Sequence, residues 1–225
     1  MNIKKVVERI KKWKWKWKRI GVVTIILILV LAVAGLISIL VYSHKSKTYN
    51  HNHKIEVELQ YWSCKAAVVD EMTAYMNSKV ATHNVSALVM LNACDKYNID
   101  VRLPLAQGLL ESHYGTAGLA RKTNSVFNMG AYDGRRFDEI LGIFKYAHPN
   151  QSIEPYCEKL RETYLGNTKT EEDLMKNFVT LGGKRYATYE KYEEEVRYTW
   201  NEINLTTKLD SLLQAYQYLK VEIGR

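Results

Sequence analysis

The chain is poor in proline and in cysteine, with three of each among 225 residues. So few prolines exclude a proline-rich or collagen-like rod and leave long stretches free to be helical. Three cysteines (Cys64, Cys94, Cys157) are an odd number and cannot form a complete disulfide framework. One bridge stays open, but three small buried hydrophobes are the simpler expectation. Phenylalanine is scarce at four while tyrosine reaches 16, so a single tyrosine says little by itself. There is no Walker loop, dinucleotide loop, Ser-His-Asp order signal or clustered Cys/His set, so no cofactor and no metal is implied.

Charge is missing altogether from Ile20 to Tyr42, a run reading IGVVTIILILVLAVAGLISILVY. At 1.5 Å per residue such a helix spans the ~30 Å hydrocarbon core of a bilayer. The run exceeds the h-region of a usual signal peptide, and its A-x-A pattern, Ala32–Ala34, lies inside it rather than after it. A transmembrane helix at 20–42 is therefore expected, with the bilayer as a partner.

Net basicity is absent from the remainder. Of the 32 Lys and Arg, nine lie in residues 1–19 beside one acid, Glu8. The other 23 basic residues face 23 of the 24 acids, so the folded part is neutral and the overall +8 is no sign of nucleic-acid binding. The basic flank predicts a cytoplasmic tail at 1–19 and an extracytoplasmic side beyond residue 42. Trp13, Trp15 and Trp17 alternate with lysines where indoles suit the headgroup layer.

Residues 43–56 are polar and read as a linker; His44, His51 and His53 lack nearby acids or cysteines to complete a metal site. Residues 57–225 read as one domain. Helical spacing runs over 57–80 (Val57, Tyr61, Cys64, Val68, Met72, Tyr75, Met76). Asn84 or Ser86 can cap a second helix through Tyr97, and Pro104 and Gly115 suit the start and end of a third. Residues 124–147 lose the period and read as a loop and a short hairpin. Helices are expected at 152–165, at 170–181 and from Lys191 onward. The fold class is mainly α (α+β), a helical domain with a small β-hairpin lobe.

The informative stretch is Leu103–Gly130, LPLAQGLLESHYGTAGLARKTNSVFNMG. Glu111 falls in the last turn of the expected third helix, where the negative end of the helix dipole opposes a second negative charge. Partial burial acts in the same direction, and both favour the protonated carboxyl that a general acid needs. A solvated glutamate at a helix end fits that position as well.

Its neighbours carry more. The run A-Q-G-L-L-E-S-x-x-G-T-A-G-L-A (106–120) resembles the catalytic helix of glycoside hydrolase family 73, bacterial glucosaminidases with a lysozyme-like fold. T-N-S-V-F-N-M-G (123–130) resembles that family's N-N-L-F-G-I-K segment. Phe144-Lys145-Tyr146, with Ser152-Ile153-x-x-Tyr156, resembles F-R-x-Y … S-I-x-x-Y. Arg185-Tyr186-Ala187-Thr188, with Tyr192, resembles the Y-A-T-D-x-x-Y element. The likeness extends over roughly Ser86–Ile203. It departs at Tyr189, where the family has Asp, at Asn128, where Gly is common, and in a short lobe between Met129 and Phe144.

The resemblance implies a glycosidase acting on peptidoglycan strands, with hydrolysis of the β-1,4 bond after N-acetylglucosamine. Glu111 matches the general acid and Tyr186 a tyrosine facing the cleft. Asn124, Ser125, Phe127 and Asn128 match a sugar-lining loop, with Tyr192 as a further sugar contact. Tyr114, which follows Glu111 closely, suits either stacking on a sugar face or ordinary packing. A second carboxylate is expected in the β-lobe: Glu139 first, with Asp138 and Asp133 as alternatives. If none is placed, the substrate's N-acetyl oxygen assists. A lytic transglycosylase or muramidase on the same fold, or a non-catalytic wall-binding module, are the competing readings.

Overall fold

A computed structural model describes residues 3–129, 137–138, 143–187 and 189–224. Side chains there are described except for most of those before Val30 and for Asn50, Phe137, Asp138 and Ile143. The chain divides into two compact units, Met1–Glu58 and Leu59–Arg225.

The helices are α1 (Ile3–Lys79), α2 (Ala87–Tyr97), α3 (Arg102–Ser112), α4 (Ala120–Thr123), α5 (Ile153–Lys159), α6 (Glu171–Lys176), α7 (Tyr192–Thr206) and α8 (Leu209–Glu222). A 3-10 turn (Pro149–Ser152) precedes α5 and a π-helical turn (Leu160–Leu165) follows it. Between α4 and the 3-10 turn, β1 (Phe137–Asp138) and β2 (Ile143–Phe144) pair antiparallel, Phe137 opposite Phe144. The fold is mainly helical with this one small β element among the described residues.

In the first unit the chain is helical from Ile3 onward. The polar stretch 43–56, read as a linker, is helical and largely exposed rather than irregular. Val30, Leu31, Val33, Leu36, Ile37, Ile39, Leu40 and Val41 are all exposed. Among the described residues no helix is long and apolar enough to cross a membrane. The side chains of 20–23 and 25–29, the first half of the expected span, lie outside the described set.

The second unit holds the core. Val68, Met72 and Met76 of α1 join Met90, Leu91 and Cys94 of α2, Ile153 and Cys157 of α5, Val196 and Ile203 of α7 and Tyr216 of α8. At roughly 1.5–3 kcal/mol for each large apolar side chain buried, this cluster drives the collapse. Cys94 and Cys157 are buried and unbridged, and Cys64 is partly buried.

α3 runs through the middle of this core and packs most extensively on α7. Leu103, Leu105, Ala106, Gln107 and Gly108 are all buried, so this helix has no solvated face until its last turn. Pro104 sits in its first turn, where a missing N–H costs nothing. Val101, at the N-cap, offers no side-chain bond, and the Asp100 carboxylate accepts from the Arg102 N–H instead at 2.9 Å. Ser86 caps α2, accepting from the Val89 N–H at 3.4 Å.

Two expected helices are shorter than their periodicity. α6 stops at Lys176 instead of reaching Leu181, because Asn177 is extended and the Phe178 N–H is taken by Glu193 at 3.0 Å. That turns the Phe178 ring inward against Tyr164, Tyr186 and Tyr192. The final helix breaks at Thr207, whose hydroxyl donates to the Ile203 carbonyl at 2.6 Å and accepts from the Leu209 N–H at 3.2 Å.

Candidate active site

A cleft of about 500 Å³ opens beside the end of α3, with Glu111, Phe127, Asn128, Tyr186, Tyr189, Tyr192 and Glu195 on its walls. Its geometry begins with the turn that follows Glu111. His113, Tyr114 and Gly115 all have positive φ, at 48°, 54° and 85°. This reverses the chain sharply and ends α3 one residue after Glu111. Ser112 ties the turn: its hydroxyl accepts from the Gly115 N–H at 2.8 Å and donates to the Val126 carbonyl at 2.6 Å. Only glycine adopts the third left-handed position without a Cβ penalty.

The turn swings Tyr114 back under α3. Its ring lies over Gly108, where a Cβ would approach within 3.2 Å, and its hydroxyl donates to the Leu105 carbonyl at 3.0 Å. Tyr114 is completely buried. The expected sugar contact is therefore corrected: the side chain is core, because the αL turn points it into the domain.

Gln107 sits one helical turn before Glu111, on the same face of α3. The Tyr156 hydroxyl donates to its Oε1, and its Nε2 donates to the Tyr192 hydroxyl at 2.7 Å. Tyr192 in turn donates to Glu111 Oε1 at 2.8 Å. The donors thus run in one direction, Tyr156 to Gln107 to Tyr192 to Glu111. Asn128 reaches the same carboxyl from the other side: its Nδ2 donates to the Glu111 carbonyl at 2.7 Å and to Oε2 at 3.3 Å.

Burial raises the Glu111 pKa above the ordinary carboxylate range, while the bonds from Tyr192 and Asn128 pull it back down. Desolvation wins, because two neutral donors replace less than the full hydration of a carboxylate. The group is thereby biased towards the acid form that donates a proton.

The loop 123–129 supplies the cleft floor. Phe127 stacks on Tyr156 with centroids 3.6 Å apart, and Tyr186 donates to the Phe127 carbonyl at 3.1 Å. Asn124 and Ser125 do not line the cleft and are corrected as sugar contacts. Asn124, with φ 54°, donates to the Tyr146 carbonyl at 2.9 Å, and buried Ser125 accepts from the Met129 N–H at 3.3 Å. Both hold the loop from behind. Ser152 does the same, accepting from the Val126 N–H at 3.1 Å.

The two tyrosines exchange emphasis. Tyr186, expected as the catalytic one, lines the cleft and stacks on Tyr192 at 5.3 Å, yet its hydroxyl is turned to the Phe127 backbone. Tyr192, expected only to touch sugar, is the one bonded to Glu111. Glu193 anchors this wall, bound by Arg185 at 2.9 Å and by the Phe178 N–H. Of the expected second carboxylates, Glu139 and Asp133 lie outside the described residues, as does the side chain of Asp138.

Sequence reasoning gave no role to Gln107 and did not consider Glu195. Gln107 was visible as a buried polar position inside an otherwise apolar helix. Glu195 was visible only as the residue three after Tyr192, one helical step along the same face.

Residues 87–205 match the glucosaminidase family model, described as mannosyl-glycoprotein endo-beta-N-acetylglucosaminidase. Among solved structures, the catalytic domain of the autolysin Auto from Listeria monocytogenes is similar at 25% identity, covering 60% of this chain and 85% of that one, with a TM-score of 0.41. Among curated proteins none matches significantly. The family match spans more than half of the chain and includes the cleft from Glu111 to Glu195, and the chain belongs to this family of glycosidases, glycoside hydrolase family 73.

Proposed function

We propose that the chain is a membrane-anchored peptidoglycan hydrolase that cleaves the β-1,4 bond after N-acetylglucosamine, with Glu111 as general acid. One observation carries the reading: a half-buried, proton-biased carboxyl, oriented by Tyr192 and Asn128, stands at the wall of an open cleft. Family membership supports the reaction class. Tyr192 donates to Glu111 Oε1 at 2.8 Å, whereas Asn128 reaches Oε2 only at 3.3 Å, so the transferable proton sits on the less tightly held Oε2 and passes to the leaving glycosidic oxygen. Positioned proton transfer of this kind contributes about 10²–10⁴ in rate. The lysozyme-like arrangement, a helical domain with a small β-lobe, belongs to the same reading.

Anchoring is supported by the uncharged run Ile20–Tyr42 and by the exposed apolar side chains of Val30–Val41, which water does not favour. The basic flank supports a cytoplasmic N-terminus and an extracytoplasmic catalytic domain, on the side where peptidoglycan strands lie.

The test is digestion of purified peptidoglycan by the full-length chain in detergent, wild type beside Glu111→Gln. New reducing N-acetylglucosamine ends from the wild type alone are expected. Anhydro-muramyl ends in the product mass spectrum mean a lytic transglycosylase instead. No release by a folded wild type leaves a wall-binding module. Extraction of the protein from membranes by alkaline carbonate without detergent would overturn the anchor.

A further inference from the structure

Among the described residues the cleft walls carry two carboxylates, Glu111 and Glu195, and the role of the second is unassigned. Glu195 lies on α7 three residues after Tyr192, whose hydroxyl touches Glu111. Residues so spaced are neighbours on one helix face, with Cβ atoms ~5–6 Å apart. Both carboxylates therefore line one open cleft, and an inverting glycosidase needs its acid and its base set across such a cleft, ~6.5–9.5 Å apart with a water between them. The environments differ as the two roles require. Glu111 is desolvated, whereas Glu195 is exposed to water. Glu195 is also held in place: the Tyr189 hydroxyl donates to its Oε1 at 3.1 Å, leaving Oε2 for another partner.

We infer that Glu195 is the general base of this enzyme, with Tyr189 as its positioning residue. The inference rests on the hydrolase reading above. In the step, Glu195 takes a proton from water as the water oxygen bonds to the anomeric carbon. The C–O bond to the leaving sugar breaks, and its oxygen takes the proton of Glu111. One water is consumed, one proton is gained by Glu195 and one is lost by Glu111, and the anomeric configuration inverts.

The experiment compares full-length wild type, Glu195→Gln, Glu195→Ala, Tyr189→Phe and Glu139→Gln on purified peptidoglycan. Readouts are reducing-end release, with and without sodium azide, and product mass. Both Glu195 variants are expected to lose kcat by a hundredfold or more with KM changed little. Azide, which needs no base, should restore part of the Glu195→Ala rate and leave a glycosyl azide. Tyr189→Phe should lose kcat severalfold. Glu195→Gln within threefold of wild type overturns the inference, as does a loss confined to KM. Azide rescue of a Glu139 variant in place of Glu195→Ala overturns it too. An inactive wild type instead fails the peptidoglycan reading itself, and this inference with it.

Discussion

The Tyr192 hydroxyl donates to Glu111 Oε1 at 2.8 Å while accepting from Gln107 Nε2 at 2.7 Å. One oxygen therefore links the acid to the core of the domain. Its donated hydrogen stabilises the ionised form of Glu111 and partly offsets the effect of burial.

Tyr192→Phe removes that hydrogen and unpairs a buried Gln107 N–H. The Glu111 pKa should rise further. In the proposed mechanism Glu111 acts in its acid form, so the basic limb of the kcat/KM profile should move to higher pH, although the peak rate falls. The orphaned donor should cost about 1–3 kcal/mol in denaturant unfolding. A basic limb that stays in place would contradict this role for Tyr192.

Asn128→Gly places glycine at a position where φ is 47°. Glycine takes that conformation without strain. The loss of the Nδ2 donor again moves the basic limb upward. Asn128 Oδ1 is buried without a hydrogen-bond partner, so removing it offsets part of the stability lost with the donor. The expected outcome is a shifted pH profile with an unfolding free energy within about 0.5 kcal/mol of wild type.

Glu111→Gln should abolish hydrolysis and also change how stability depends on pH. The folded-state pKa of Glu111 is raised, so the native protein holds a proton that the unfolded chain has already released. Wild type is therefore stabilised by this group below the ordinary carboxylate range and loses that contribution as pH rises through the elevated value. The glutamine variant has no such loss. Its melting midpoint relative to wild type should climb between pH 4 and pH 7; a flat or falling difference would count against burial as the dominant effect.

Gly108→Ala tests the packing that turns the chain after Glu111. The new Cβ meets the Tyr114 ring at 3.2 Å and Val126 at 3.4 Å. Overpacking of this kind costs about 1–3 kcal/mol. Activity should fall as well, because displacing Tyr114 disturbs the turn on which the Glu111 position depends.

Tyr114→Phe separates core from cleft. Its hydroxyl bonds the Leu105 carbonyl and faces no solvent. The change should cost about 1 kcal/mol of stability and leave KM unaltered. A raised KM at unchanged stability would return Tyr114 to the sugar site.

The sequence by itself determined the neutral, helix-rich domain and the uncharged run before it, and singled out Glu111 as the candidate acid. These are legible because helical period, charge and short motifs are local properties of the chain. The structure supplied the meaning of Q-G-x-x-E-S-x-x-G: Gln107 for the relay, Gly108 for the close approach of Tyr114, Ser112 and Gly115 for the turn. Only the tertiary structure decided which tyrosine serves Glu111, since Tyr186 and Tyr192 share one motif and differ in where their hydroxyls point. It also moved Tyr114 from the groove into its support, because three successive positive φ values reverse the chain behind Glu111, and Asn124 and Ser125 with it, because their side chains bind the backbone of Tyr146 and Met129. And it brought Glu195 to the same cleft as Glu111 through the α3–α7 packing, a juxtaposition of residues 84 apart that no local pattern encodes. Glu111 gains its altered acidity from being enclosed, and enclosure is a property of the packed domain and not of the residue.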